Sequence, residues 1–101
     1  MDLQDTLRRA RVLPVLTIAD PARAVPLVDA LAAGGLAVVE IALRTPAAAE
    51  AIARVTTALP RVTVGAGTVR SVADLGVAVA AGAAFAVSPG ATPALLAAGC
   101  T

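Results

Sequence analysis

The sequence predicts an α/β domain in which parallel strands alternate with covering helices, and three observations predict it. Apolar runs begin near Val12, Leu36, Val62 and Ala84, a spacing of about 25 residues that is typical of a compact βα unit. The runs are rich in Val, Ile, Leu and Ala with little polar alternation, as strands covered on both faces are. Between them lie segments opened by a capping residue and closed by glycine or proline. At 101 residues and 58% hydrophobic, with a mean hydropathy of +0.87, the chain is one domain at most and has ample material for a core.

Residues 2–10 carry Leu3 and Leu7 at helical spacing and read as a short amphipathic helix, a lid or end cap. Residues 12–18 form the first strand, with Pro14 best placed near its start. Asp20-Pro21 supplies an N-cap acceptor and a first-turn proline for a helix that runs toward Gly34-Gly35, and Pro26 predicts a kink or a later start. Residues 36–43 are the second strand. Thr45-Pro46 repeats the capping device and opens a helix that must end before Pro60. Residues 62–66 are the third strand, followed by the loop Gly67-Thr68-Val69-Arg70. Ser71 with Asp74 three residues on resembles a capping box for a helix ending near Gly82. Residues 84–87 are the fourth strand, Ser88-Pro89-Gly90 is its exit loop, and Thr92-Pro93 caps a last helix that stops at Gly99. Such alternation closes in one of two ways, an open doubly wound sheet or a (β/α)8 barrel. A barrel of eight such units needs about 200 residues, and this chain has half that number.

Composition excludes several function classes. The net charge is +1, the eight basic residues are scattered and Phe85 is the only aromatic, which leaves neither a basic stripe nor a stacking platform for nucleic acid. Cys100 has no partner for an internal disulfide and is expected to be a buried or interfacial small hydrophobe. With no histidine and dispersed acids, neither a metal nor another cofactor is expected. The N-terminus lacks the pattern of a secretory signal, so a reducing cytoplasm is the expected location. Residues 75–101 carry no charge, yet Gly76, Gly82, Gly90, Gly99, Pro89 and Pro93 break them into strand and helix pieces rather than a membrane span of roughly 20 residues. All eight basic residues are arginine; the sequence contains no lysine.

The stretch around which the rest is organised is residues 36–46, an apolar run carrying Glu40 and Arg44. On a strand Val38, Glu40, Ala42 and Arg44 share one face. A carboxylate in such a run needs either pairing or a task. Two explanations are open at this point: a structural ion pair between Glu40 and Arg44, or a site at the C-terminal end of the strand. Gly65-Ala66-Gly67 is not a dinucleotide fingerprint, because the third glycine and the later acid are missing.

Leu13-Pro14-Val15-Leu16, Ala32-Ala33-Gly34-Gly35, Val39-Glu40-Ile41-Ala42-Leu43-Arg44-Thr45-Pro46, Val64-Gly65-Ala66-Gly67-Thr68-Val69 and Phe85-Ala86-Val87-Ser88-Pro89-Gly90 occur in that order. Together they resemble the N-terminal half of the 2-keto-3-deoxy-6-phosphogluconate (KDPG) aldolase family, which includes the 4-hydroxy-2-oxoglutarate aldolases. The resemblance implies the (βα)4 half of a TIM (β/α)8 barrel, with residues 1–101 as half of one domain. It also implies a class I aldolase, usually homotrimeric, that forms pyruvate and glyceraldehyde 3-phosphate through a Schiff base, with a small keto acid as partner and neither nucleic acid nor membrane.

By the same resemblance Glu40 is the proton-shuttling carboxylate, Arg44 binds the carboxylate of the keto acid, Thr68 lines the pyruvate pocket, and Pro89, within Ser88-Pro89-Gly90, is part of its wall. Ala42 departs from the threonine of many relatives. The family's lysine nucleophile on the sixth strand and its phosphate loops after the seventh and eighth lie beyond Thr101. Without a lysine the only amine is that of Met1, so the chain alone is expected to be inactive as an aldolase. An alternative is a non-catalytic (βα)4 half-barrel that self-associates and serves as a small-anion binder or structural module. Another phosphosugar barrel, such as an epimerase, fits the motifs less well.

Overall fold

In a computed structural model describing residues 2–100, the apolar runs become four parallel strands and the segments between them become helices. The order is α1 (Leu3–Ala10), β1 (Val15–Leu16), a 3-10 turn (Pro21–Arg23), α2 (Ala24–Ala33), β2 (Val38–Ala42), α3 (Ala48–Ala58), β3 (Thr63–Gly67), α4 (Val72–Ala81), β4 (Phe85–Ala86) and α5 (Pro93–Gly99).

Local chemistry explains most of the boundaries. Asp2 caps α1, its Oδ1 accepting from the Asp5 N–H at 2.8 Å, and Arg8 and Arg9 sit in the last turn, where the helix dipole favours cations. Asp20-Pro21 opens the 3-10 turn rather than the α-helix: Asp20 Oδ1 accepts from the Ala22 N–H at 3.0 Å. The α-helix proper starts at Ala24, so Pro26 falls in its first turn, where a missing N–H breaks no helical bond. This is the later start that Pro26 predicts. Gly35 ends the segment with φ +99°, a conformation that glycine takes without strain. Ser71 Oγ accepts from the Asp74 N–H at 3.1 Å, and the Asp74 carboxylate reaches back to the Arg70 N–H at 3.0 Å, one residue beyond the box the spacing predicts. Thr92 Oγ1 caps α5 through the Leu95 N–H at 3.1 Å.

Thr45 departs from its predicted role. α3 starts at Ala48 after Ala47, which makes no side-chain cap, and the Thr45 hydroxyl donates instead to the Ile18 carbonyl at 2.5 Å. Thr45 therefore ties the segment after β2 to the segment after β1. β1 and β4 are each two residues long, shorter than the runs that encode them, because each is an edge with a hydrogen-bonding partner on one side only.

The strands lie in the order β1-β2-β3-β4, all parallel. A doubly wound sheet reverses its order at a switch point; this one does not, so its crossovers run one way and lay their helices on one face. The core confirms it. Val39, Ile41, Val64 and Ala66 of the central strands pack with Val28 of α2, Ile52 and Val55 of α3, Ala78 of α4 and Leu95 of α5. The chain is four consecutive units of a (β/α)8 barrel.

Register then fixes the other, inner face. Val15 pairs with Glu40, Glu40 with Gly65 and Gly65 with Phe85, so these four share a row on the side away from the helices. The helix-free face also carries Val38 and Ala42 of β2 and Thr63 and Gly67 of β3. Phe85 is buried, whereas Val15 at the open edge is 59% exposed. Among the described residues no helix is long and apolar enough to cross a membrane; the uncharged tail is divided among α4, β4 and α5. Cys100 is exposed, so of the two expected settings, buried or interfacial, it is not buried within this chain.

Candidate active site

Glu40 sits at the centre of β2, its N–H donating to the Pro14 carbonyl at 2.9 Å, and only 7% of its surface meets solvent. Its carboxyl leans across β3 toward Gly67, two positions nearer the C-terminal end than its own register partner. It makes no hydrogen bond or ion pair with the described residues. Among the described residues no fully buried side-chain oxygen lacks a partner, so the unbonded Glu40 carboxyl retains some contact with solvent. Burial raises its pKa above the ordinary glutamate value, and the positive field of Arg44 offsets part of that rise. A carboxyl of this kind, dry along its stem and wet at its tip, is suited to holding a proton and giving it up.

Arg44 stands in the turn that follows β2 and is exposed. Its Nε donates to Thr68 Oγ1 at 3.2 Å, and its two terminal nitrogens have no partner among the described residues. A guanidinium held at one nitrogen with a free pair beyond it can receive a carboxylate in bidentate fashion. Thr68 is the first residue after β3 and has φ +58°, a conformation rare for a β-branched residue. Backbone bonds hold it on both sides: the Leu43 N–H donates to the Gly67 carbonyl at 2.8 Å and the Val69 N–H to the Val87 carbonyl at 3.0 Å, with Val69 buried. The C-terminal tips of β2, β3 and β4 are thereby stitched together.

The structural ion pair is not formed. Strand geometry ends at Ala42, the chain turns through Leu43 and Arg44, and the guanidinium is carried to Thr68 instead of back over Glu40. The ion pair present among the described residues is Glu50 with Arg54 at 2.9 Å, on the outer surface of α3. Pro89 is exposed in the exit loop of β4, at the same end of the sheet, with no hydrogen bond to Glu40, Arg44 or Thr68 among the described residues. Its neighbour Ser88 closes the loop on itself, the hydroxyl donating to the Gly90 carbonyl at 2.7 Å. The structure thus joins Arg44 to Thr68, brings the Glu40 carboxyl beside Gly67, and leaves Pro89 at the rim.

The packing role of two inner-face glycines escaped the reading of the sequence. Gly65 leaves room for the Phe85 ring and Gly67 for the Glu40 carboxyl. The signal was their period-two spacing in β3. Among the described residues there is no group of three or more His, Cys, Asp or Glu able to hold a metal ion.

A sequence profile of the KDPG and KHG aldolases matches residues 3–101. The chain belongs to the KDPG and KHG aldolase family. Among its relatives, the 2-dehydro-3-deoxy-phosphogluconate aldolase of Pseudoalteromonas atlantica is 49% identical over 96 residues, which is 95% of this chain and 45% of that protein. That of Pseudomonas aeruginosa is 50% identical over 93 residues, 91% of this chain and 42% of the relative. The KDPG aldolase of Legionella pneumophila, solved with pyruvate captured as a covalent carbinolamine intermediate, superimposes with a TM-score of 0.88 at 44% identity, over 92% of this chain and 45% of that one. The Zymomonas mobilis aldolase, solved with 3-phosphoglycerate, gives 0.86 at 49%, over 93% of this chain and 44% of that one. The chain spans less than half the length of these KDPG aldolases.

Proposed function

We propose that residues 1–101 are the N-terminal half of a class I aldolase barrel that cleaves 2-keto-3-deoxy-6-phosphogluconate to pyruvate and glyceraldehyde 3-phosphate. The observation that carries this reading is a buried Glu40 carboxyl, its pKa raised by burial, leaning toward the strand ends where Arg44 bonds Thr68. Barrel enzymes place their chemistry at that end. Arg44 holds the keto acid's carboxylate with its two free nitrogens, and Thr68 fixes the angle of the guanidinium through Nε. Pro89 forms part of the wall of the pyruvate pocket.

A lysine outside this sequence condenses with the C2 carbonyl, with Glu40 moving the proton that carbinolamine formation and loss of water require. The C3–C4 bond then breaks as Glu40 takes the C4 hydroxyl proton, C4 leaves as the aldehyde of glyceraldehyde 3-phosphate and the electron pair passes into an enamine. Glu40 returns a proton to C3, and hydrolysis frees pyruvate. The pyruvate carbinolamine captured in the Legionella relative, 44% identical, supports covalent chemistry at the keto carbon. A cytoplasmic homotrimer is part of the same proposal.

A second reading, in which two copies of the (βα)4 unit associate into a non-catalytic barrel, is favoured by the open edges of β1 and β4 and by the exposure of Val15. Intact mass measured on protein from its native source, before and after pyruvate and borohydride, separates the two. A mass about twice the 9.8 kDa of this chain, gaining one reduced pyruvate adduct on lysine, supports the aldolase. A mass near 9.8 kDa without a lysine adduct overturns it.

A further inference from the structure

We infer that Gly67 is a positioning residue for Glu40: its missing side chain is the seat that carries the carboxyl from mid-strand to the mouth of the sheet. The inference rests on the proton-shuttling reading of Glu40 for its meaning in catalysis, and on geometry for the seat itself. The register partner of Glu40 is Gly65, and that of Ala42 is Gly67. A carboxyl standing straight up from Glu40 would therefore lie short of the strand end where Arg44 and Thr68 meet. It leans diagonally instead. A Cβ placed on Gly67 would overlap Glu40 Oε2 and come within 2.7 Å of its Cδ and 2.9 Å of its Cγ.

The backbone itself does not call for glycine at this position. Gly67 is in strand conformation without the positive φ that favours glycine, and the three atoms nearest to such a Cβ all belong to Glu40. Gly65, two residues earlier on the same face, serves a different neighbour, since the atoms nearest to its Cβ are those of the Phe85 ring. The seat is also continuous with the clamp: the Gly67 carbonyl accepts the Leu43 N–H at 2.8 Å, and Thr68 is the next residue. A methyl group at position 67 meets the movable end of a side chain rather than backbone, so the strand stays and the carboxyl is displaced into water.

Titration of a 13C-labelled Glu40 carboxyl by NMR, in the 101-residue chain and its Gly67→Ala variant, tests the seat. The expected result is a folded variant whose Glu40 titrates closer to the ordinary glutamate value. The urea midpoint of Gly67→Ala/Glu40→Ala is expected to match that of Glu40→Ala. An unmoved Glu40 titration in folded Gly67→Ala overturns the inference, as does a loss of midpoint that persists when Glu40 is alanine. Should Gly67→Ala not fold, recovery of folding in the Glu40→Ala background supports the seat and failure to recover overturns it.

Exchange of the pyruvate methyl protons, in the chain completed with the C-terminal part of the Pseudomonas aeruginosa relative, separates seat from chemistry. Gly67→Ala is expected to slow exchange about tenfold or more while the KM for pyruvate is kept. Exchange that survives in Glu40→Gln sinks the proton-shuttling reading and leaves the seat to the titration.

Discussion

Arg44 and Thr68 meet at 3.2 Å across the tips of β2 and β3, and the threonine does so with its backbone in the left-handed region. A β-branched residue there costs roughly 1–2 kcal/mol. The fold keeps it because the residues on either side are bonded to neighbouring segments. The two terminal nitrogens of Arg44 beside this strained residue have no partner among the described residues, and on the proposed function they are the ones that bind.

Thr68→Gly should therefore separate the two. The urea midpoint is expected to hold or rise, whereas Thr63→Gly, in regular strand geometry, lowers it. In the completed aldolase the same Thr68→Gly change is expected to raise the KM for the keto acid about fivefold, the loss of about 1 kcal/mol of orienting hydrogen bond.

Glu40 makes stability depend on pH in a stated direction. Its folded pKa lies above the unfolded one, so the fold binds its proton more tightly than the unfolded chain does. The stabilisation is complete below the ordinary glutamate value near 4.5 and is lost as pH rises through the raised folded value. Glu40→Gln is expected to abolish that part of the decline and to be more stable than the parent at pH 7. Urea unfolding at a series of pH values checks it; parallel curves for the two proteins would refute it.

Gly65→Ala should press on the Phe85 ring, and overpacking of this kind costs about 1–3 kcal/mol. The loss is expected to shrink in the Phe85→Ala background, where the ring is gone. A double-mutant cycle in urea measures the coupling.

Ile52 is fully buried between α3 and the sheet, whereas Arg54, two residues on, pairs with Glu50 in water. Ile52→Ala is expected to cost about 2–5 kcal/mol through its cavity, and Arg54→Ala about 0.5 kcal/mol or less. Denaturant midpoints at constant slope distinguish the two outcomes.

Strands, helices and their order were legible because apolar runs and caps are local signals. Ser71, Thr92 and the glycines at 35 and 82 act where spacing places them. Thr45 was not legible, since its hydroxyl finds Ile18, which is 27 residues away, and only the sheet makes them neighbours. Arg44 misled for a related reason: alternation puts it on the face of Glu40 only while the strand continues, and the strand stops at Ala42. Glu40 stood out as a lone acid in an apolar run. The glycines that shape its surroundings were hidden, because an absent side chain announces nothing until its neighbour is known.

The order of the strands also bears on how the chain acquires its shape during synthesis. Glu40 lies 25 residues after its partner Val15 and 25 before its partner Gly65, and each strand after β1 pairs with the one made just before it. Each new βα unit therefore meets a finished template as it emerges, with short loops to close and no distant partner to await. Growth is by accretion on one advancing edge. The edge that lets the next unit dock is thus open at every intermediate length, as is the edge of β1 on the other side of the sheet.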